Sequence, residues 1–165
     1  MHLTLPFPEA VELALQGAAL PPLVRSVACT GATIRADIDL RAVPSPPFAL
    51  RAVAAVAPIV HVEATFRSFA AGAATFDLAV RAGSVPVQRV LNQLTGLLNS
   101  ALRAQHVPDG LVTVRQGAAG ELLAVLDLQA GVALRTRGVT LTHCALTEGV
   151  FEVAATVRDF TLRAT

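Results

Sequence analysis

The chain has 165 residues, of which 53% are hydrophobic, 15% charged and 4% aromatic, with a formal net charge of +1. This length favours a single domain, 1–165, and the apolar content excludes a disordered chain. All thirteen basic residues are arginine, and they are interleaved with the acidic residues instead of clustered. A nucleic-acid-binding protein needs a basic face, so we expect no nucleic-acid partner.

The first residues show no export signal. Met1 to Thr4 lacks a positively charged region, and Pro6 and Pro8 interrupt any apolar stretch. The longest apolar run, 52–60, is far shorter than the roughly 20 residues that span a bilayer. We therefore expect no transmembrane segment, and a cytoplasmic protein as the sequence stands. A periplasmic or cell-envelope location is expected if a signal has been removed.

In chain order, the first half is dominated by alternation of apolar and polar residues, which predicts antiparallel strands with one dry face. Strands are predicted at 3–7 and 11–15, at 23–30 paired with 33–41 through Gly31, and at 60–67 and 75–81 joined by a hairpin at 70–74. The alanine-rich segment 51–57 fits either a strand or a short helix. The pattern then changes once. From 86 to 105, apolar residues recur at the i, i+3, i+4, i+7 spacing of one helix face, which predicts a long helix.

Strands are predicted again after this helix, at 111–115, 121–128, 132–137, 139–147 and 151–158, with Gly138 as a break. The economical way to bury the helix stripe and the dry strand faces is one sheet curved around the helix. The predicted fold class is therefore α+β: a strongly curved antiparallel β-sheet of about nine or ten strands, in two meanders, wrapped around one long central helix at about 86–105. Such a sheet, lined with small aliphatic side chains, can leave an apolar groove for a hydrocarbon ligand.

This layout resembles the tubular lipid-binding (TULIP) superfamily, in particular its small bacterial members. The resemblance rests on the helix with a meander on each side, on the helix end and strand start at 106–114, and on the hairpin at 141–153. It implies a curved sheet around a long helix, with lipid held in an apolar groove. It carries over no specific lipid-contacting residue, because the superfamily has no fixed site motif.

The function expected is non-enzymatic binding of a lipid or other apolar small molecule between the sheet and the helix. Each groove residue proposed from the pattern is equally a good core residue. The predicted ligand-binding residues are, on the helix, Val90, Leu91, Leu94, Leu97, Leu98 and Leu102, and on the strands, Ile38, Val62, Phe66, Leu78, Leu126, Phe151 and Val153.

No catalytic residue, metal site or cofactor is predicted. The four histidines are dispersed, and no zinc-ligand spacing occurs. His61 and Glu63 are expected to be solvated on the polar face of one strand. Asp37 and Asp39, flanked by Arg35 and Arg41, are expected to form ordinary cross-strand salt links. Cys29 and Cys144 are expected to be small buried hydrophobic side chains and not a disulfide.

Two other functional classes stay open. A structural or interaction module would dock partners, or a second copy as a homodimer, through a sheet edge. Transient contact with a membrane also stays open. The outline of a hotdog thioesterase or dehydratase, a helix followed by five strands over 86–160, is disfavoured. Such enzymes place a carboxylate or histidine near the helix, and 81–103 contains neither.

Overall fold

The structure, a computed structural model, describes residues 1–15, 17–46, 48–83 and 110–162. Within these ranges it contains nine strands, three short α-helices and one 3-10 turn. In chain order they are β1 (His2–Pro6), α1 (Phe7–Leu15), β2 (Val24–Thr30), β3 (Thr33–Asp39), the 3-10 turn (Leu40–Ala42), α2 (Phe48–Val56), β4 (Ile59–Ala70), β5 (Ala73–Arg81), β6 (Val112–Gln116), β7 (Leu122–Asp127), α3 (Leu128–Arg135), β8 (Thr136–Thr147) and β9 (Val150–Leu162).

Six strands form one antiparallel sheet in the order β2-β3-β4-β5-β7-β6. The alternation predicted from the sequence sets its two faces. Val62 lies between Ala36 and Val80 on the apolar face, whereas Glu63 lies opposite Arg35 on the polar face. The β2–β3 pairing through Gly31 and the hairpin around 70–74 are both confirmed.

The remaining strands form a second sheet in the order β1-β9-β8. Its β8–β9 turn is joined to the β2–β3 turn by a hydrogen bond of 2.8 Å from the Gly149 N–H to the Gly31 carbonyl. Leu146 of this sheet is 2% exposed and packs in one cluster with Ala74 and Phe76 of β5. The two sheets therefore share part of their apolar interior.

A second cluster fills the other end of the large sheet. Val60 and Leu40 are fully buried there, and Val53 and Ala54 of α2 pack against the same cluster. This packing explains why the ambiguous segment 51–57 is helical: one side of α2 covers the beginning of β4. The core of the described residues is thus divided between an α2 end and a β8–β9 end.

The predicted single sheet around a long central helix is wrong for the described residues. The strands form two sheets, and the helices described have eight or nine residues each. The predicted helix 86–105 lies outside the residues that the structure describes. The predicted meanders are also not the units of the fold, because β7 pairs with β5 from the first half and β1 pairs with β9.

Three local predictions are wrong as well. Residues 11–15 belong to helix α1, because Phe7, Val11 and Leu15 repeat at helical spacing and Phe7 is buried. Residues 132–135 belong to helix α3, whose N-cap is the carboxylate of Asp127. Gly138 lies inside β8 at a bulge, where its positive φ lets the strand continue.

Candidate binding pocket

The structure places the predicted groove residues in several parts of the interior. The helix residues Val90, Leu91, Leu94, Leu97, Leu98 and Leu102 lie outside the described residues. Ile38 and Val62 belong to the cluster at the α2 end, and Phe66, Leu126 and Phe151 pack around the cluster at the β8–β9 end. Leu78 pairs with Ala64 and Leu122 in the large sheet, and Val153 pairs with Leu3 and Cys144 in the small one.

A pocket of about 300 Å³ lies where the tip of the β4–β5 hairpin meets the start of α3 and the middle of β8. None of the predicted groove residues lines it. We call it the Gln129 pocket, and its lining residues are Phe69, Ala70, Ala71, Gly72, Gln129, Thr140, Leu141 and Thr142.

Gln129 joins the three elements that form this pocket. Its backbone N–H donates to the Gly72 carbonyl at 2.9 Å. Its side-chain Nε2 donates to the Val139 carbonyl at 2.9 Å, and its Oε1 accepts from the Leu141 N–H at 2.8 Å. The side-chain amide of Gln129 therefore bonds to β8 in the way that a peptide group of a neighbouring strand would. Among the described strands, β8 is the edge of its sheet.

The sequence around Gln129 explains its placement. The Oδ1 of Asp127 accepts a hydrogen bond of 2.8 Å from the Ala130 N–H, which caps the first turn of α3. On the hairpin side, Gly72 has a φ of +82°, and a Cβ at this position would lie 2.5 Å from the Gln129 Cβ. Only glycine allows this approach of the hairpin tip to the helix.

A bulge in β8 shapes the third wall. The register against β9 shifts between Leu141 and His143, so that Thr142 is the additional residue. Bulges re-aim side chains at the place where they interrupt a ladder. Here the irregularity coincides with the three consecutive residues, 140–142, that line the pocket.

The chemistry of the lining is apolar with an uncharged polar part. Phe69 and Leu141 provide the large apolar surfaces, and Thr140, Thr142 and Gln129 provide hydroxyl and amide groups. The eight lining residues include no acid, base or cysteine. The arrangement can hold a ligand by apolar contact and neutral hydrogen bonds.

A group of ionisable side chains lies on the polar face of the large sheet, and none of its members lines this pocket. The His61 ring contacts the Asp37 carboxylate at 2.6 Å, and Ser26 donates to the other oxygen of Asp37 at 3.0 Å. These two hydrogen bonds lower the pKa of Asp37. His61 is exposed on this face, as predicted. Within the described ranges, no group of three His, Cys, Asp or Glu residues could hold a metal ion.

The predicted cross-strand salt links of the aspartates are confirmed in part, because Asp39 lies 4.0 Å from Arg25 across the β2–β3 pair. Asp39 also pairs at 2.9 Å with Arg41, two residues later in the chain. The hydrogen bonds that the Asp39 carboxylate accepts from Arg41 lower the pKa of Asp39 to about 2. Arg35 pairs with Glu63 at 3.0 Å and not with an aspartate.

Both cysteines are free, with Cys144 buried and Cys29 half-buried, and burial raises the pKa of each thiol.

Comparison of the chain with protein-family models, curated proteins and solved structures finds no match. Among the described helices, none combines the length and apolar character required to cross a membrane.

Sequence reasoning missed Gln129 because it assigned residues on both sides of it to strands. One signal was present: Asp127 precedes the segment LQAGVALR as an N-cap precedes a helix. The contact of Gln129 with Gly72 joins residues that are far apart in the chain, and its bonds to β8 span 10 and 12 residues. The alternation within single elements could not reveal these contacts.

Proposed function

We propose that the protein is a non-enzymatic binding module that holds one small apolar or lipid-derived ligand in the Gln129 pocket. The observation that carries the proposal is the pocket of about 300 Å³ with Phe69 and Leu141 in its walls. An engineered apolar cavity of about 150 Å³ is enough to bind benzene. The pocket is therefore large enough for a hydrocarbon segment of modest length.

The polar groups of the pocket favour a ligand with one neutral polar end. A glutamine amide has two N–H donors and an oxygen with two lone pairs. Its bonds to Val139 and Leu141 use one donor and one lone pair, so that one of each is left for a ligand. An ester, amide or protonated carboxyl group would match this capacity, beside the hydroxyls of Thr140 and Thr142.

Binding is favoured over catalysis by the same lining. General acid–base and nucleophilic catalysis need an ionisable group, or a nucleophile next to a base, within hydrogen-bond reach of the substrate. The lining offers threonine hydroxyls without such a base.

The proposal is tested by filling the pocket. Thr140 is exposed and lines it, so Thr140→Phe places a ring in the pocket at little cost to the core. Thr147→Phe is the matched control, since Thr147 is exposed on the same strand but does not line the pocket. Native mass spectrometry after incubation with dodecanoic acid and its methyl ester measures uptake.

We expect one bound molecule on the wild type and on Thr147→Phe, and a loss of uptake for Thr140→Phe. Equal uptake by all three proteins, or none by the wild type, contradicts the proposal.

A second candidate function, an interaction module, is favoured by one observation. β1 pairs with β9 at residues 150–154 and Met1 exchanges hydrogen bonds with Ala155, but β9 continues to Leu162. On the β1 side, residues 156–162 thus have no paired strand within the described ranges. A backbone edge of this kind can accept another chain. Light scattering across a concentration series tests the homodimer form of this interpretation, which requires a dimer, whereas the ligand-binding proposal is compatible with a monomer.

A further inference from the structure

The outer side of helix α2 is apolar and exposed. Phe48 is 81% exposed and Val56 is 70% exposed, and Ala52 and Ala55 are exposed between them. At 100° per residue these four side chains lie within one stripe of the helix surface. The other side of the helix is already used, because Val53 and Ala54 pack against the core. We call Phe48, Ala52, Ala55 and Val56 the α2 stripe.

The charged residues of the chain segment that carries the stripe have one sign. From Leu40 to Pro58 the sequence contains Arg41 and Arg51 and no aspartate or glutamate. Arg51 is exposed on α2 itself and makes no ion pair among the described residues. Arg41 is already paired with Asp39 at 2.9 Å. An apolar stripe that carries a cation without an ion-pair partner among the described residues, in a segment without acidic residues, complements a negatively charged apolar surface.

Helix α1 also exposes a large apolar side chain, but the charged residues beside it are acidic. Leu13 is 66% exposed on α1, which makes it comparable with Val56. It lies beside the exposed Glu12, and Glu9 is exposed one turn earlier. Anionic lipid would repel these carboxylates. α1 therefore offers apolar exposure with the opposite charge.

The size of the stripe argues against a protein partner. Helix α2 has nine residues, and a helix of that length measures about 14 Å along its axis and about 10 Å across. Such a footprint is far below the roughly 800 Å² that each partner of a stable protein complex buries. A membrane surface needs no partner surface of complementary shape, and binding to it scales with the apolar area that enters the interface and with attraction to anionic lipid.

We infer that the α2 stripe is a docking element for the surface of an anionic lipid bilayer, in which Phe48 and Val56 enter the interface and Arg51 contacts lipid phosphate. This docking does not depend on the proposed ligand pocket. The length of β4 separates the two, because α2 packs near the beginning of that strand and the pocket lies at its other end. The two can therefore fail separately.

The absence of tryptophan from the chain makes a direct test possible. Phe48→Trp gives a protein with one reporter on the stripe, and Leu13→Trp gives a matched reporter on an exposed helical position beside glutamates. We expect a blue shift of emission for Phe48→Trp with vesicles of phosphatidylcholine and phosphatidylglycerol, and none for Leu13→Trp. Vesicles of phosphatidylcholine alone should produce a much smaller shift.

Vesicle flotation then measures affinity with full-length variants. Phe48→Ser should weaken binding by about tenfold or more, because the aromatic side chain can no longer be buried in the interface. Leu13→Ser should leave binding unchanged, and Arg51→Gln should weaken it only on anionic vesicles. Each serine replaces an exposed side chain, so the fold is retained, and circular dichroism checks this.

Three results overturn the inference: no flotation of the wild type, equal losses for Phe48→Ser and Leu13→Ser, or equal binding to neutral and anionic vesicles. A concentration-dependent dimer that Phe48→Ser abolishes also overturns it and assigns the stripe to a second copy of the chain.

Discussion

At the scale of single residues, the fold depends on a few positions where the backbone must come close to another group. Gly138 has a φ of +76°, and a Cβ there would collide with the carbonyl oxygen of Arg158. Gly149 has nearly the same φ, +75°, but a Cβ there would meet no atom within 4 Å. A comparison of the two glycines therefore distinguishes two effects. Both positions have a left-handed backbone, which strains any L-residue, but only Gly138 also lies against the backbone of β9.

We predict that Gly149→Ala lowers the free energy of unfolding by about 1–2 kcal/mol, the cost of the left-handed conformation for an L-residue. Gly138→Ala should cost clearly more, because the backbone of β9 must also move. Urea denaturation of both variants checks this. Equal losses would show that β9 does not approach Gly138 closely.

The carboxylate of Asp39 predicts a pH dependence. Its pKa is about 2 in the folded protein, against 3.8 for the free group. Because folding favours the ionised form, its stabilising contribution is complete above pH 3.8 and is lost as the pH falls through about 2. Asp39→Asn should therefore be less stable than the wild type at neutral pH, and the difference should shrink towards pH 2. Thermal unfolding across this range measures it, and a constant difference contradicts the assignment.

At the scale of the elements, the alternation of apolar and polar residues predicted most strands, because it follows from the two faces of a sheet. It failed at two short helices, α1 and α3, whose apolar residues also fit an alternating pattern. For α1, the apolar residues 11, 13 and 15 suggested a strand, although Phe7, Val11 and Leu15 fit a helix equally well. Phe7 is buried against Phe151, with ring centroids 6.2 Å apart, and this packing stabilises the helix. The two residues are separated by almost the whole length of the chain.

The contact between the sheets makes a prediction at this scale. Leu146 of β8 is 2% exposed and packs against Ala74 and Phe76 of β5. Leu146→Ala should cost about 2–5 kcal/mol, because it leaves a cavity between two sheets. Leu3→Ala, at a position 47% exposed on the same small sheet, should cost about 1 kcal/mol or less. Similar losses in urea denaturation would mean that the sheets are not held together at Leu146.

At the scale of the whole molecule, the strand partners could not be derived from the sequence. Met1 and Ala155 exchange backbone hydrogen bonds across a separation of 154 residues, and β5 pairs with β7 across the segment that separates the two halves. Local patterns record which face of a strand is dry but not which strand lies beside it. The sequence thus predicted the dry face of β3, β4 and β5 correctly, misplaced Leu3 and Val157, which are exposed, and predicted the enclosing architecture incorrectly. The Gln129 pocket, built from three distant segments, was hidden for the same reason.

Native mass spectrometry of the purified intact chain, beside solvent extraction and mass spectrometry of what it carries, decides whether the Gln129 pocket holds a ligand. We expect one apolar molecule per chain, either co-purified or taken up from an added fatty-acid mixture, that extraction identifies as a lipid or lipid fragment. A chain of unmodified mass that takes up nothing from the mixture would contradict ligand binding in the Gln129 pocket and leave the interaction module as the better account.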